Sequence, residues 1–469
     1  MLDIVIMAAG KGTRMKSKRP KVLHTLAGLP LLQHVLAMAE GLGAKSLIAV
    51  TGHGASEVEA AMRAAFPSAP LAFVRQEPQL GTGHAVQQAA PLLSENPDAV
   101  TLVLNGDVPL IEAATARTLI EACGGRRLAL LTIDLSDATG YGRIVRQAGG
   151  RDRSSAAVRA IVEHKDATAE QLQLREVYTG MMAVPTPALR RWLAALKNDN
   201  AQGEYYLTDI VAMAVAEGMP VVAAQPASET EVLGVNSPAQ LADLERRLQR
   251  TRAEALMQAG VRLADPARVD VRGELVCGSD VEIDVNCLFE GCVQLGDGVR
   301  VGANCVIRNA RIAAGAVVHP FVHIDGEALG VKIGEGALVG PFARLRPGAD
   351  LGPEVHIGNF VEVKNSQLAR GAKANHLAYL GDATVGERVN YGAGSITANY
   401  DGANKHRTVI GDDVHVGSNC VLVAPLTVGD GATIGAGSTL GKDAPPGQLT
   451  VARARQTSLP GWQRPQKKR

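Results

Sequence analysis

Directly after an apolar run at the amino terminus stands M-A-A-G-K-G-T-R-M, Met7 to Met15, in which Gly10 and Gly12 permit close backbone approach and Lys11 and Arg14 supply positive charge. Backbone N–H groups in a glycine-rich turn that follows a strand are suited to cradling phosphates. The stretch fits neither G-x-x-x-x-G-K-[ST] nor G-x-G-x-x-G, so the general P-loop and dinucleotide-fold templates do not apply. A second candidate is Asp107 in Asn105-Gly106-Asp107, after the apolar run Val100–Leu104; taken alone it reads as a turn residue behind a buried strand. Any charged ligand must be small. Lys plus Arg total 48 against 47 Asp plus Glu, a net charge of +1, so no large field favours nucleic acid.

A chain of 469 residues exceeds what one hydrophobic core usually serves and predicts two large domains. From Leu2 to about residue 235, apolar β-rich runs (Ile4–Ala8, Leu47–Thr51, Val100–Leu104, Leu128–Ile133) alternate with helical stretches (Leu31–Glu40, Ala55–Ala65, Ala85–Leu93). That order predicts an α/β domain, a parallel sheet covered by helices. After Asn236-Ser237-Pro238 the charged, Leu-spaced stretch Ala239–Gly260 predicts one connecting helix. The expected divisions are 1–238, a linker helix at 239–260, and 261–469.

Beyond Arg262 the apolar period becomes six: Cys277, Ile283, Phe289, Leu295, Val301 and Ile307 share one register. It resumes at Ile333, Val339, Leu351, Ile357, Val385, Ile410, Val416, Val428 and Ile434, each followed by Gly. Hexapeptide periodicity is the mark of a parallel β-helix, in which stacked coils bury a continuous column of side chains. Cys287, Cys305 and Cys420 fall four residues after an inward position, as do Ala432 and Ser438, and are read as small inward packing residues. Two stretches depart from the period, Asn365–Ala378 and the polar excursion Thr397–Arg407. Solenoids carry binding loops as such insertions, so the chemistry of this half is expected there. Counting back by six from Val385 puts Tyr379 and Lys373 in register and leaves His376 off the inward column, if no local slip intervenes.

The six cysteines include no C-x-x-C pair or zinc-like spacing, and reduced structural thiols are expected. No apolar run reaches the roughly 18 residues of a membrane span, and the start leads into the Gly/Lys/Arg loop instead of a cleavage site. A cytoplasmic protein is expected.

The glycine-rich loop is followed by R-P-K-V-L-H (Arg19–His24), Q-L-G-T-G-H-A (Gln79–Ala85) and N-G-D-V-P-L (Asn105–Leu110), then by G-Y-G-R-I-V (Gly140–Val145), V-E-H-K-D (Val162–Asp166), N-A-Q-G-E-Y-Y-L-T-D (Asn200–Asp209) and G-V-N (Gly234–Asn236). This ordered set resembles sugar-phosphate nucleotidyltransferases, and specifically the uridyltransferase half of the GlmU family. The resemblance implies a Rossmann-like nucleotidyltransferase domain. It further implies that Met7, Ala8, Ala9, Gly10, Gln76, Gly81 and Thr82 bind uridine and that Asn105 and Gly106 belong to the same UDP-sugar site. Gly142, Glu163 and Asn236 would contact ribose or sugar, Arg14 and Lys21 would hold phosphates during catalysis, and Asp107 with Asn236 would bind Mg²⁺. One residue departs from the family pattern: Tyr178, in V-Y-T-G, stands where the family usually has Asn at a position that helps hold the sugar nucleotide. The segment Gln147–Arg159 looks longer than usual and is read as an extended hairpin loop.

In the second half, G-P-F-A-R-L-R-P-G (Gly340–Gly348), G-N-F-V-E-V-K (Gly358–Lys364), A-N-H-L-A-Y-L-G-D (Ala374–Asp382) and G-A-G-S-I-T-A-N-Y-D-G-A-N-K (Gly392–Lys405) resemble the acetyltransferase half of the same family, a left-handed parallel β-helix. The implied roles are His376 as the base that deprotonates the glucosamine amine, a task suited to a near-neutral pKa, with Glu362 to orient it. Arg346, Lys364, Tyr379 and Asn390 would hold the sugar phosphate, and Ala393, Asn399, Tyr400, Ser418, Ala436 and Arg453 would contact acetyl-CoA. In this family three β-helices pack side by side, so a homotrimer is implied, and the basic end Gln463–Arg469 would help close the coenzyme site. The implied reaction joins acetyl-CoA, glucosamine-1-phosphate and UTP into UDP-N-acetylglucosamine for peptidoglycan and lipopolysaccharide synthesis. The alternative is a single-activity nucleotidyltransferase whose β-helix only trimerises it.

Overall fold

The computed structural model describes residues 1–147, 157–200 and 202–467. They form two compact units, Met1–Arg247 and Leu248–Arg469. The division falls inside one helix, Pro238–Gln258.

The first unit is built on a sheet whose central strand, Leu2–Met7, is apolar on both faces and therefore buried on both. Its one polar member, Asp3, is also buried and accepts hydrogen bonds from Ser46 Oγ and the Ser94 N–H, each at 2.8 Å. Leu2–Met7 pairs in parallel with Ser46–Thr51 on one side and Val100–Asn105 on the other, and Leu71–Arg75 extends the sheet in parallel. Helices cover both faces, with one apolar cluster on each. Leu31–Glu40 and Ala55–Ala65 are helical as expected. The third helix starts earlier than expected, at Thr82, and its α-turns end at Ala89; a 3₁₀ turn, Ala90–Leu92, follows. Pro91 has no N–H to continue the ladder.

The sheet is mixed, not parallel throughout. Glu176–Pro185 runs antiparallel between Val100–Asn105 and Leu128–Asp134. The chain between Leu128–Asp134 and Glu176 is not a helical crossover but an antiparallel pair, Arg143–Arg146 with Val158–Val162, so the next strand returns in the opposite sense. The expected loop between these two strands lies, at 148–156, outside the described residues.

The second unit is a left-handed parallel β-helix with three faces. One face stacks Val317–Val318, Leu338–Val339, His356–Asn359, Lys373–His376, Asn390–Tyr391 and their neighbours. The next stacks Arg344–Leu345, Glu362–Lys364, Tyr379–Gly381, Ile396–Ala398 and Val421–Val423, and the third Asp350–Leu351, Gln367–Leu368, Ala383–Val385 and Thr408–Ile410. Along the first face the inward column runs Val301, Val318, Val339, Ile357, Ala374, Tyr391, Val416, Ile434, none more than 2% exposed. Cys287, Cys305, Cys420, Ala432 and Ser438 are buried beside such columns. All six cysteines are free, but Cys292 is exposed and Cys277 half-buried, so the structural reading of the thiols does not extend to Cys292.

The coil bearing His376 is one residue short: Val339 stacks on Ile357, and Ile357 on Ala374. Ala374 and Leu380 are therefore the inward residues, and the count that placed Lys373 and Tyr379 in register is off by one. His376 is still exposed, now because it ends its strand at a corner. The same corner carries Phe321, Phe342, Phe360 and Leu377 in left-handed backbone, and the three rings stack with centroids 4.9 and 5.3 Å apart.

Candidate active sites

In the first unit, strand ends and the turns after them converge on a cleft of about 290 Å³. Met7, Ala8, Ala9, Gly10, Lys21, Gln76, Gly81, Thr82, Asn105 and Asp107 line it, ten of the residues expected for the nucleotide. The Gly106 N–H bonds to the Met7 carbonyl at 2.9 Å, tying the two strand ends together. Gly12 is left-handed, and a Cβ there would lie 2.7 Å from Lys21 Cβ, so this glycine lets the loop close over Lys21. Arg14 lies on the exposed turn Thr13–Met15 and does not line the cleft. Buried Gln76 donates to the Gly81 carbonyl at 2.8 Å, fixing the turn that opens the Thr82–Ala89 helix. Gln79 and Glu204 also line the cleft and were not anticipated individually; both stand in motifs quoted above, which was the available signal.

Lys21 Nζ sits 2.5 Å from Asp107 Oδ2 and 3.1 Å from Asn236 Oδ1. The Val235 N–H bonds to the Asp107 carbonyl at 2.9 Å and so draws Asn236 in. Two oxygens thus converge on one positive charge. Among the described residues no group of three or more His, Cys, Asp or Glu could hold a metal. A carboxylate plus an amide oxygen nevertheless fits Mg²⁺, which keeps several waters and takes further oxygens from substrate phosphates.

Gly142, Glu163 and Tyr178 form a second group. The Tyr178 N–H bonds to the Gly142 carbonyl at 2.9 Å, and a Cβ on Gly142 would lie 3.7 Å from both Glu163 carboxylate oxygens. Glu163 accepts from Thr208 Oγ1 at 3.0 Å, and the adjacent Leu207 N–H bonds to Thr82 Oγ1 at 3.1 Å, linking this group to the cleft. Burial raises the Glu163 pKa above the ordinary carboxylate value, against the Thr208 bond, with Asp166 and Asp209 adding repulsion. The Tyr178 hydroxyl is buried without a hydrogen-bond partner, and burial holds its pKa well above that of an ordinary tyrosine. The departure from the family pattern is therefore a bulky phenol packed into the core beside the group that was expected to contact sugar.

In the second unit Arg346 and Lys364 stand on one face, in adjacent coils at the same strand end, since Leu345 pairs with Val363. Tyr379 opens the next strand of that face, and His376 ends the preceding strand across the corner. Glu362 does not take the expected place beside His376: its carboxylate receives Arg346 at 2.8 Å and lies 3.8 Å from Arg344. Asn359 Oδ1 lies 3.2 Å from His376 Nδ1 instead, because these two residues pair in register. Asn390 lies on the other face, in contact with His415 at 3.1 Å. Lys405, in the polar excursion, was not anticipated. Its side chain meets Lys364 and, with burial, pulls the Lys364 pKa below its ordinary value, while Asp382 opposes the shift.

Ala393, Ser418 and Ala436 occupy the same turn position, two residues after Tyr391, Val416 and Ile434, in three successive coils. Arg453 reaches the last of these turns and donates to the Ala436 carbonyl at 2.6 Å. Asn399 is buried at the root of the excursion and Tyr400 is exposed just beyond it, with its hydroxyl donating to the Gly402 carbonyl at 2.6 Å.

Residues 4–263 match the MobA-like NTP transferase domain, and 330–365 and 407–442 match the bacterial transferase hexapeptide (six repeats) family. The chain is 79% identical over 469 residues to the bifunctional protein GlmU of Methylibium petroleiphilum, covering all of both chains. It is 66% identical to that of Albidiferax ferrireducens, over 99% of this chain and 100% of the relative, and 59% identical to that of Azoarcus sp. over 100% of both. The chain belongs to the bifunctional GlmU family. Both halves of that family are present here in full length, the nucleotide cleft in one unit and the cation-lined face in the other.

Proposed function

We propose that the unit Leu248–Arg469 transfers acetyl from acetyl-CoA to glucosamine-1-phosphate, and that the unit Met1–Arg247 then couples the product to UTP, releasing pyrophosphate and UDP-N-acetylglucosamine. In the first step His376 takes a proton from the sugar amine as its nitrogen attacks the thioester carbonyl and the coenzyme thiolate leaves. Arg346 and Lys364 hold the sugar phosphate with Tyr379 and Asn390, while Ala393, Asn399, Tyr400, Ser418, Ala436 and Arg453 contact the coenzyme. The observation that carries this half is the convergence of Arg346 and Lys364, at one strand end of adjacent coils, with Lys405 of the excursion against Lys364. Glu362 pairs with Arg346, and the repulsion between the two lysines is one that a bound phosphate relieves, for which a mere scaffold has no use.

In the second step Met7 to Gly10, Gln76, Gly81 and Thr82 seat uridine, Gly142 and Glu163 orient ribose and sugar, and Arg14 and Lys21 engage the phosphates. Asp107 and Asn236 would hold Mg²⁺, which would supply charge neutralisation at the phosphates. Lys21 contributes charge at the same point, and the chain's work is positioning plus electrostatics. A homotrimer is the expected assembly. Asn390 and Lys364 project from different faces of one β-helix, so a neighbouring copy supplies the simplest way to bring both kinds of face to one sugar. The cytoplasm is the expected compartment, which the six free cysteines support, and the product would feed peptidoglycan and lipopolysaccharide synthesis. Chromatography of products from the purified chain with acetyl-CoA, glucosamine-1-phosphate, UTP and Mg²⁺ tests the reading. Omitting acetyl-CoA should abolish UDP-N-acetylglucosamine, and supplying N-acetylglucosamine-1-phosphate should restore it; a wild-type chain that never acetylates would leave nucleotidyl transfer alone.

A further inference from the structure

The polar excursion leaves the β-helix at Asn399 and rejoins it at Thr408, and both ends are held by one residue of the coil below, Asp382. Asp382 is only 7% exposed. Its Oδ2 accepts from Asn399 Nδ2 at the start of the excursion, and its main-chain oxygen accepts the Thr408 N–H at 3.2 Å at the return. Its Oδ1 accepts from Asn365 Nδ2 at 2.5 Å, and its own N–H donates to the Lys364 carbonyl at 3.0 Å. The backbone there is left-handed, φ +49°.

Beyond this root the excursion is stiffened by its own contacts. The His406 N–H bonds to the Asn399 carbonyl at 2.8 Å, Tyr400 pairs with Lys405, and Asp401 accepts from the Ala403 and Asn404 N–H groups at 2.8 and 2.6 Å. His406 Nε2 lies 2.7 Å from the same Asp401 carboxylate. Arg407 adds a second tether near the return, its Nη1 donating to Thr384 Oγ1 at 2.7 Å, so the Asp382 side chain sets the start of a stiff loop and a change there displaces Tyr400 and the bridge that pairs it with Lys405. We propose that Asp382 is a positioning residue of the acetyl-transfer site, fixing the excursion that presents Tyr400 to the coenzyme and Lys405 beside Lys364. The inference rests on the acetyl-transfer reading above.

Both of its carboxylate oxygens receive amide N–H₂ donors, so an amide at this position turns an N–H₂ group toward one of them and breaks one bond while keeping the shape. The test uses Asp382→Asn in the full chain, with Asp382→Ala as the larger lesion. For Asp382→Asn the KM for acetyl-CoA should rise about tenfold, the size a lost hydrogen bond to a charged group gives, with kcat changed by less than about threefold. Amide hydrogen exchange across 400–407 should quicken in both variants, while uridylyl transfer to supplied N-acetylglucosamine-1-phosphate stays at the wild-type rate. An Asp382→Asn variant whose KM for acetyl-CoA and loop exchange match wild type, with or without a lowered melting temperature, overturns the proposal and leaves Asp382 a structural residue. Failure of the wild-type chain to acetylate would instead overturn the reading beneath it, and the exchange measurement would still report whether Asp382 holds the loop.

Discussion

Replacing His376 by Ala separates chemistry from stability. The side chain is exposed and, among the described residues, its side-chain hydrogen bond is to Asn359 at 3.2 Å, so its loss should change unfolding free energy by no more than about 0.5 kcal/mol. A general base in the transition state is worth roughly 10²–10⁴-fold, which corresponds to about 2.7–5.4 kcal/mol of barrier. The expected variant therefore melts with the wild type, loses acetyl transfer by at least about a hundredfold, and makes UDP-N-acetylglucosamine at the wild-type rate once given the acetylated sugar. Product chromatography with each sugar phosphate in turn measures the two activities, and thermal denaturation measures the stability. Acetylation within about threefold of wild type would refute the assignment, because a positioned general base typically contributes at least about a hundredfold. Loss of both activities would instead mean that the substitution disturbs more than the corner it occupies.

Asp107→Ala should lower uridylyl transfer by at least about a hundredfold, leave acetyl transfer intact, and weaken Mn²⁺ binding measured by electron paramagnetic resonance; undiminished Mn²⁺ affinity would remove Asp107 from the metal site. Burial raises the Glu163 pKa above 4.5, so the folded unit holds this proton more tightly than the unfolded chain. The resulting stability is complete below the unfolded pKa and is lost as pH rises through the folded value. Glu163→Gln should therefore raise the melting temperature of the first unit at neutral pH and change it little at pH 4 while weakening sugar-nucleotide binding, and calorimetry showing equal shifts at both pH values would contradict this. A thiol reagent at pH 8 should label Cys292 first, because Cys287 and Cys305 are buried with pKa values pushed up to about 11 and about 12; mass spectrometry showing early modification of Cys305 would contradict the packing.

The sequence by itself determined the architecture wherever one period governs a long stretch. Six-residue recurrence named the inward residues from Ile283 to Ile307, and again at Ile333, Val339, Leu351, Ile357, Val385, Ile410, Val416, Val428 and Ile434, because a stacked coil leaves no other place for a large apolar side chain. The glycine-rich turn and Asp107 were legible because each follows an apolar strand whose end must deliver it to the same sheet edge. Tertiary structure decided what depends on a single residue of phase or on neighbours far along the chain. A coil one residue short moved the inward positions to Ala374 and Leu380; a fixed count of six does not register such a deletion, and the available signal was that Ala374 and Leu380 are apolar where the count put Lys373 and Tyr379. Antiparallel insertion of Glu176–Pro185 followed from a hairpin connection that strand propensity does not distinguish from a crossover. The partner of His376 was decided by strand pairing, which sets Asn359 beside it and turns Glu362 toward Arg346. The meeting of Lys405 with Lys364 and the two-ended clamp at Asp382 exist only because the excursion folds back on the preceding coil. Contacts between residues so far apart in sequence arise from stacking, and no spacing rule along the chain encodes them.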